Sequence, residues 1–153
     1  MTLVSYRSEF DCPPEALFAF HLDATNLPRI SPPLPKLRLL SEAKTTEEGD
    51  RQSLALCVGP LTREWDALVT HVIAPRLIED VQERGPFLRW RHQHRVSGTA
   101  RGSALTDVIA FRALPTPVGE FVEWLAVRPA MGLMLRYRHW RTRALLRSGD
   151  APR

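Results

Sequence analysis

The sequence predicts one α+β domain in which a curved antiparallel sheet of about seven strands packs around a long C-terminal helix. Three observations lead to this prediction. The chain has 153 residues, a length that suits a single domain. Its middle is a run of segments that alternate apolar and polar residues, and its last part changes to helical spacing. Consecutive strands pair as antiparallel hairpins, and one helix has to cover their apolar face.

The first predicted strand covers residues 3–10, where the alternation begins. Pro13 and Pro14 then predict a helix start, because the first turn of a helix does not need the N–H that proline lacks. A second short helix is expected to begin near Asp23 and to end before Pro28, since the residue before a proline avoids the helical conformation. The proline-rich segment that follows predicts a loop.

Six further strands are predicted, separated by Gly, Pro or polar stretches. Their ranges are 36–43, 51–58, 61–74, 77–83, 87–96 and 103–112. Alternation in residues 61–74 places Trp65, Val69 and His71 on one face of the strand. We expect this face to be the inner one. The direction of Asp80 and Gln82 depends on the strand register, because a slip of one residue turns every side chain to the other face.

From Val118 to Leu146 the apolar spacing is helical, and Pro129 interrupts it. Proline removes one hydrogen bond and clashes with the preceding turn, so we expect a kink there or two abutting helices. The domain is predicted to span residues 1–148, and residues 149–153 are expected to form a disordered tail.

Burial energies predict how this helix packs. Leu125, Leu135 and Leu145 are expected to face the sheet, because a buried leucine contributes roughly 1.5–3 kcal/mol. Most arginines between positions 136 and 147 are expected to reach solvent, since an unpaired buried guanidinium is costly. Arg138 lies three residues after Leu135 and is expected at the edge of the packed face.

Charge and composition restrict the classes of function. The net charge is +4, with −4 in residues 1–85 and +8 in residues 86–153, so an anionic partner is one possibility. No stretch approaches the roughly 18 apolar residues of a membrane span, and no targeting segment is recognisable at the start. Cys12 and Cys57 have no metal-ligand spacing, which predicts two free thiols and a cytoplasmic protein.

The strongest local feature is Trp90-x-His92-x-His94, because period-two spacing aims all three side chains at one face. Three interpretations of the histidines stay open: they are hydrogen-bonded wall residues, they contact a ligand, or they transfer protons near neutral pH. Asp107 is either a rim residue or an inward carboxylate that one of these histidines partners. These three titratable residues are the catalytic candidates.

A metal interpretation starts from His71, His92 and His94, which alternation could place on one face. Inward neighbours on one strand are about 7 Å apart, which is too far for easy chelation by both. We therefore expect no metal site and no cofactor. The sequence also lacks a Gly-rich phosphate loop and a Gly-x-Ser-x-Gly string.

Several strings, together with the order of the predicted elements, resemble a known superfamily. The strings are Phe18-Ala19-Phe20-His21, Ser31-Pro32-Pro33, Trp65-Asp66-Ala67-Leu68-Val69, Gly85-Pro86-Phe87-Leu88-Arg89-Trp90-Arg91-His92-Gln93-His94, Thr106-Asp107-Val108-Ile109-Ala110-Phe111 and Leu135-Arg136-Tyr137-Arg138. They resemble the START-like helix-grip superfamily, or SRPBCC, which includes polyketide cyclase/dehydrase-like proteins, lipid-transfer domains and pollen allergens. Within it they are similar to a bacterial ligand-binding branch.

The resemblance implies binding of a small hydrophobic ligand, lipid or polyketide-like, in a cavity of about 300–1,000 Å³ between the sheet and the C-terminal helix. A cofactor-independent polyketide cyclase or dehydratase is the alternative, with His92 or His94 as acid or base and Asp107 orienting the imidazole. A further alternative is a chaperone-like or interaction domain that uses the basic helix face.

Ligand contacts are expected from residues that the pattern places on the inner face. They are Trp65, Val69, His71, Trp90, His92, His94, Phe111, Leu125 and Leu135. The expected partner is a small hydrophobic molecule, with no nucleic acid and no membrane insertion. We expect a monomer or a homodimer.

Overall fold

Seven antiparallel strands form one curled sheet in this computed structural model, which describes residues 1–42, 44–113 and 115–149. The strands are β1 (Thr2–Phe10), β2 (Lys36–Leu39), β3 (Arg51–Val58), β4 (Leu61–Ile73), β5 (Leu77–Arg84), β6 (Arg89–Thr99) and β7 (Gly102–Arg112). They pair in the order β1-β7-β6-β5-β4-β3-β2, so every neighbouring pair except β1 and β7 joins consecutive strands. The strand predicted over 36–43 ends at Leu39, and its last predicted residue, Ala43, lies outside the described residues.

Two short helices, α1 (Pro14–Leu22) and α2 (Asn26–Ile30), follow β1 as predicted. The second helix does not end before Pro28 but contains it, because Pro28 lies in the first turn, where no N–H is needed. Asp23 was expected to begin this helix and instead holds the turn before it. Its carboxylate accepts hydrogen bonds from the backbone N–H and the hydroxyl of Thr25, at 2.9 and 2.6 Å.

The C-terminal helix is continuous through Pro129. It consists of α3 (Pro117–Val122), a π-helical turn (Glu123–Val127) and α4 (Arg128–Ser148). The wide turn directly precedes Pro129, and the Arg128 N–H donates to Glu123 O. The expected irregularity is therefore this π-helical turn, a known way of accommodating a proline, and not a break. Of the described helices, none has the length and apolarity that crossing a bilayer needs.

The face that this helix turns toward the sheet differs from the prediction at one position. Leu135 and Leu145 are buried as expected, whereas Leu125 is 58% exposed. A π-helical turn holds more residues per turn than an α-helix, so it rotates the residues before it relative to those after it. Glu123 takes the buried position, where it accepts hydrogen bonds from Thr2 Oγ1 at 2.7 Å and the Ala113 N–H at 2.6 Å.

The arginines of α4 reach back to the chain's own N-terminal elements. Arg143 donates to Glu9 O at 2.9 Å, and Arg147 forms an exposed ion pair with Asp11 at 3.4 Å. Arg138 lies at the packed face, as expected from its position after Leu135. Because these arginines already contact groups of the chain itself, less of the positive charge of the helix is available to an anionic partner.

A β-bulge in β4 turns His71 away from the predicted inner face. The pairing with β5 passes from Val69 opposite Asp80 to His71 opposite Glu79, so two successive residues, Thr70 and His71, point outward. There His71 Nδ1 lies 3.2 Å from the Glu79 carboxylate, which is also bound by outward-facing donors. The alternation of apolar residues does not reveal a bulge, and the expected ligand contact at His71 is therefore wrong.

Three apolar clusters form the described part of the core, and β7 contributes to the two larger ones. The first lies under α1 and contains Leu17, Phe18 and Leu105, and the second lies under α4 and contains Ile109 and residues that include Phe111 and Leu135. Leu105 and Ile109 belong to the same face of β7. The residue midway between them, Asp107, therefore lies between the two clusters.

Leu135→Ala should lower the free energy of unfolding by about 2–5 kcal/mol, because a fully buried leucine leaves a cavity when truncated. Leu133→Ala is the matched control: Leu133 is 66% exposed on the same helix, and its loss should change stability by less than about 0.5 kcal/mol. Denaturant melts measure both values. Equal losses would mean that the helix is rotated relative to the arrangement described above.

Candidate functional site

Strand pairing brings two carboxylates and two imidazoles together on the inner face of β5, β6 and β7. Asp80 is paired with His92, and His94 is paired with Asp107. Paired residues have Cβ atoms about 4.5–5.5 Å apart, so each carboxylate is within reach of an imidazole. The register also answers the question that alternation left open, since Asp107 is buried, Asp80 lines an internal cavity and Gln82 follows Asp80 on the same face.

The carboxylate of Asp107 is the centre of this group. It accepts hydrogen bonds from His94 Nδ1 at 2.6 Å and from His139 Nε2 at 3.0 Å, and His92 Nε2 lies 3.5 Å away. Burial alone would raise the pKa of Asp107. The imidazoles of His94, His139 and His92 outweigh this effect and hold the pKa well below its usual range. Asp107 is therefore an ionised carboxylate with only 1% of its surface exposed.

A chain of hydrogen bonds continues from Asp107 through His139 to β1. His139 Nδ1 lies 2.6 Å from Ser8 Oγ. In the neutral imidazole the proton is on Nε2, which donates to Asp107, and Nδ1 accepts from the Ser8 hydroxyl. Sequence reasoning did not single out His139. Its place four residues after Leu135, on the same helical face, was the signal for burial.

A cavity of about 90 Å³ lies beside this group, between the sheet and helices α1, α2 and α4. Five of the predicted ligand contacts line it: Trp65, Val69, Trp90, His92 and His94. The cavity is smaller than the expected 300–1,000 Å³, roughly the range for ligand pockets. Part of the reason is that the inner aromatic rings pack against one another, with the Trp65 and Trp90 rings 4.8 Å apart in an edge-to-face arrangement.

The other four predicted ligand contacts lie elsewhere. Phe111 and Leu135 are fully buried in the cluster under α4, so they support the wall without lining the cavity. His71 faces outward because of the bulge, and Leu125 is exposed because of the π-helical turn. Phe111 and Leu135 lie on the predicted faces of their elements but are covered by neighbouring side chains. For His71 and Leu125 a local irregularity of the backbone turns the residue away from the cavity.

Polar residues that sequence reasoning did not assign to the site also line the cavity, among them His21, Asp80 and Arg138. Burial raises the pKa of Asp80 to about 6. Burial and the nearby His94 lower the pKa of His21 to about 3, so His21 is neutral and donates from Nδ1 to Leu17 O at 3.0 Å. Burial also lowers the pKa of Arg138.

Three residues of the cavity wall have a buried nitrogen without a hydrogen-bond partner in the described part of the chain: Trp65 at Nε1, His92 at Nε2 and Arg138 at Nε. The nitrogens of Trp65 and Arg138 always carry a proton and are therefore donors. The guanidinium of Arg138 makes one long hydrogen bond, from Nη2 to Ser31 Oγ at 3.4 Å. An unpaired buried donor costs about 1–3 kcal/mol, so these groups favour a ligand that carries acceptors.

Asp107→Asn should lower the free energy of unfolding by about 3–5 kcal/mol, because an amide NH₂ would replace one of the two buried oxygens that accept from His94 and His139. Asp66→Asn is the matched control. Asp66 forms a partly exposed ion pair with Arg84 at 2.7 Å, and such pairs contribute about 0–1 kcal/mol. Chemical denaturation at neutral pH measures both. A loss at Asp107 no larger than at Asp66 would contradict the central role of this carboxylate.

Solved structures share this fold at low sequence identity. A crystal structure of a protein from Chromobacterium violaceum matches with a TM-score of 0.73 and 13% identity over 94% of this chain and 95% of that chain. A solution structure of a protein from Arthrobacter aurescens gives 0.74 and 16% over 95% and 86%. The crystal structure of Ara h 8.0201 gives 0.61 and 11% over 92% and 97%. A search of curated proteins finds no match.

A family model gives the more specific result. The model described as "Polyketide cyclase / dehydrase and lipid transport" matches residues 10–131, which is well over half of the chain. The matched range contains the sheet from β2 to β7 and all the cavity-lining residues named above except Arg138. The structural matches agree with it, since they have the predicted curled sheet and long helix. The chain therefore belongs to the polyketide cyclase/dehydrase and lipid transport family, of the START-like SRPBCC type.

Proposed function

We propose that the chain binds a small hydrophobic molecule with oxygen acceptors, polyketide-like or a lipid, in the cavity between the sheet and the C-terminal helix. The observation that carries this proposal is the composition of the wall. Trp65 and Trp90 offer aromatic surface, while the Trp65 indole and the Arg138 guanidinium contribute the unpaired donors. A wall that is mostly apolar and has a few polar groups is typical of small-molecule sites.

The size of the cavity restricts how such a ligand binds. A cavity of about 150 Å³ holds benzene, so the 90 Å³ of this cavity require widening before a ring enters. Helix α2 borders the cavity through Leu27 and Ile30 and is only five residues long. Because so short a helix has few internal hydrogen bonds, we assign the widening to α2 and the proline-rich segment after it.

Native mass spectrometry with a panel of lipids and aromatic polyketides tests the proposal. Ala67→Leu narrows the cavity from β4 and should weaken binding at least tenfold, whereas Ala130→Leu, at an exposed position of α4, should leave binding unchanged. Arg138→Met keeps an unbranched apolar stem and removes the donors of the guanidinium. This substitution should weaken the binding of oxygen-bearing ligands and leave the binding of pure hydrocarbons unchanged. Binding that is the same in Ala67→Leu and the unaltered protein would overturn the proposed location.

A cofactor-independent cyclase or dehydratase is the second candidate, and one observation favours it. His94 lines the cavity while its Nδ1 donates to Asp107. An imidazole that a carboxylate orients in this way can act as a general base through its other nitrogen, Nε2. In a dehydration Nε2 would take a proton from carbon as the double bond forms and the neighbouring C–O bond breaks, and the imidazolium would return that proton to the leaving hydroxyl group, which departs as water.

His94→Gln distinguishes this candidate from simple binding. If the chain is an enzyme, a ligand found in the binding screen should convert to a product that has lost water, or to a cyclised isomer, and the variant should bind the ligand but form product at least a hundredfold more slowly. Liquid chromatography with mass detection measures the conversion. A ligand that stays unchanged with the unaltered protein argues for a carrier, and equal conversion by the variant would exclude His94 as the base.

A further inference from the structure

Three residues of the cavity wall are arranged as metal ligands. Asp80, His92 and His94 each offer one donor atom, and these atoms all lie within 4.8 Å of one another. Sequence reasoning rejected a site at His92 and His94 because residues two apart on a strand are separated by about 7 Å. The two rings lean toward each other, however, and their centroids are only 4.1 Å apart. The third member of the set is Asp80 from the neighbouring strand, and not His71.

His92 supplies the second, independent observation. It is buried to all but 4% of its surface, and its Nε2 has no hydrogen-bond partner in the described part of the chain. The ring lies between two carboxylates without bonding to either: Nδ1 is 3.9 Å from Asp80 Oδ2, and Nε2 is 3.5 Å from Asp107 Oδ1. With its proton on Nε2, the ring directs that N–H toward Asp107, and the lone pair of Nδ1, on the side of Asp80, is left for another group to bind.

Asp107 has the position of an outer-shell carboxylate. It accepts a hydrogen bond from His94 Nδ1 at 2.6 Å. In the neutral ring this leaves the lone pair of Nε2 free. Histidines that bind metals donate their other N–H to a carboxylate or carbonyl in this way, and the contact fixes both tautomer and ring orientation. Asp107 also lies next to His92 Nε2, so one carboxylate can orient both rings.

We propose that a divalent transition metal of the Zn²⁺ class binds at Asp80, His92 Nδ1 and His94 Nε2, with its remaining coordination position open to the cavity. Bonds of about 2.1 Å put tetrahedral donors roughly 3.4 Å apart, so side-chain rotations have to bring the donors up to about 1.4 Å closer. Two imidazoles and one carboxylate favour a transition metal over Mg²⁺ or Ca²⁺, which prefer oxygen ligands. An oxygen of the hydrophobic ligand would complete the coordination.

Arg138 is the group that opposes this site. Its guanidinium lines the same cavity and is attracted to Asp80 and Asp107, so it competes with a metal for the negative charge. The proposal therefore predicts a specific gain: Arg138→Met should strengthen metal binding by about tenfold, which is about 1.4 kcal/mol.

Isothermal titration of the chelator-treated, unaltered protein with Zn²⁺ alone tests the site without any organic ligand, so its result is independent of the proposed function. We expect one equivalent to bind, with affinity falling at least tenfold in Asp80→Asn and in His92→Gln. His71→Gln is the matched control, since His71 lies outside the cavity on the outer face, and it should change nothing. Absence of binding, or a loss confined to His71→Gln, would overturn the proposal.

Co²⁺ absorption spectra provide a second test that does not depend on the folding of any variant, because they use the unaltered protein. Bound to the unaltered protein, Co²⁺ should give the strong visible bands of four-coordinate nitrogen and oxygen ligation, and Zn²⁺ should displace it. The weak spectrum of six-coordinate cobalt, or a thiolate band from Cys12 or Cys57, would place the metal elsewhere and contradict the assignment. Arg138→Met should bind Co²⁺ more tightly, and weaker binding by this variant would contradict it too.

Discussion

A carboxylate that folds into the interior of a protein has to be compensated, because the loss of hydration costs far more than one contact returns. Around Asp107 the compensation comes from two elements of the fold: His92 and His94 from β6, and His139 from α4. The contact with His139 is a buried polar link between the helix and β7. Apolar side chains tolerate small displacements, whereas hydrogen bonds are lost within a fraction of an ångström. The buried charge therefore specifies the position of the C-terminal helix more narrowly than Leu135 does.

The same group divides the interior into a packed part and a part that contains the cavity. The apolar clusters on either side of Asp107 are closely packed, as protein interiors generally are. Toward the cavity, His94 donates to Asp107 from Nδ1, His92 Nε2 lies 3.5 Å from the same carboxylate, and both residues line the cavity. A structural requirement, the pairing of a buried charge, thus also supplies oriented polar groups to a space that a ligand can enter.

The fold was accessible from the sequence because its signals are local. The alternation in β3 and β4 and the helical spacing from Val118 onward depend on residues close together in the chain. The errors arose where one residue changes the phase of a pattern. The bulge at Thr70 turned His71 outward, and the π-helical turn turned Leu125 outward. Neither irregularity alters the composition of its segment, so periodicity alone does not predict it.

The candidate site was only partly predictable, for a different reason. Trp90, His92 and His94 share a strand, and their spacing was sufficient to group them. Asp80 and Arg138 come from β5 and α4, and only strand register and helix rotation place them at the same cavity. Strand register and helix rotation depend on contacts between residues far apart in the chain, so the pattern of one segment does not predict them. His139 is the exception, since its spacing from Leu135 pointed inward while its residue type suggested solvent.

The π-helical turn has a consequence for how this chain tolerates changes in length. A π-helical turn is in effect an α-helix with one additional residue, accommodated locally. Deleting one residue between Glu123 and Val127 would return the segment to regular α-helix and swing α3 by about 100° relative to α4. Glu123 would leave its contacts with Thr2 and Ala113, while the face that carries His139 and Leu135 would keep its place. The two ends of the helix can therefore accommodate changes in length independently, because the π-helical turn lies between them and does not line the cavity.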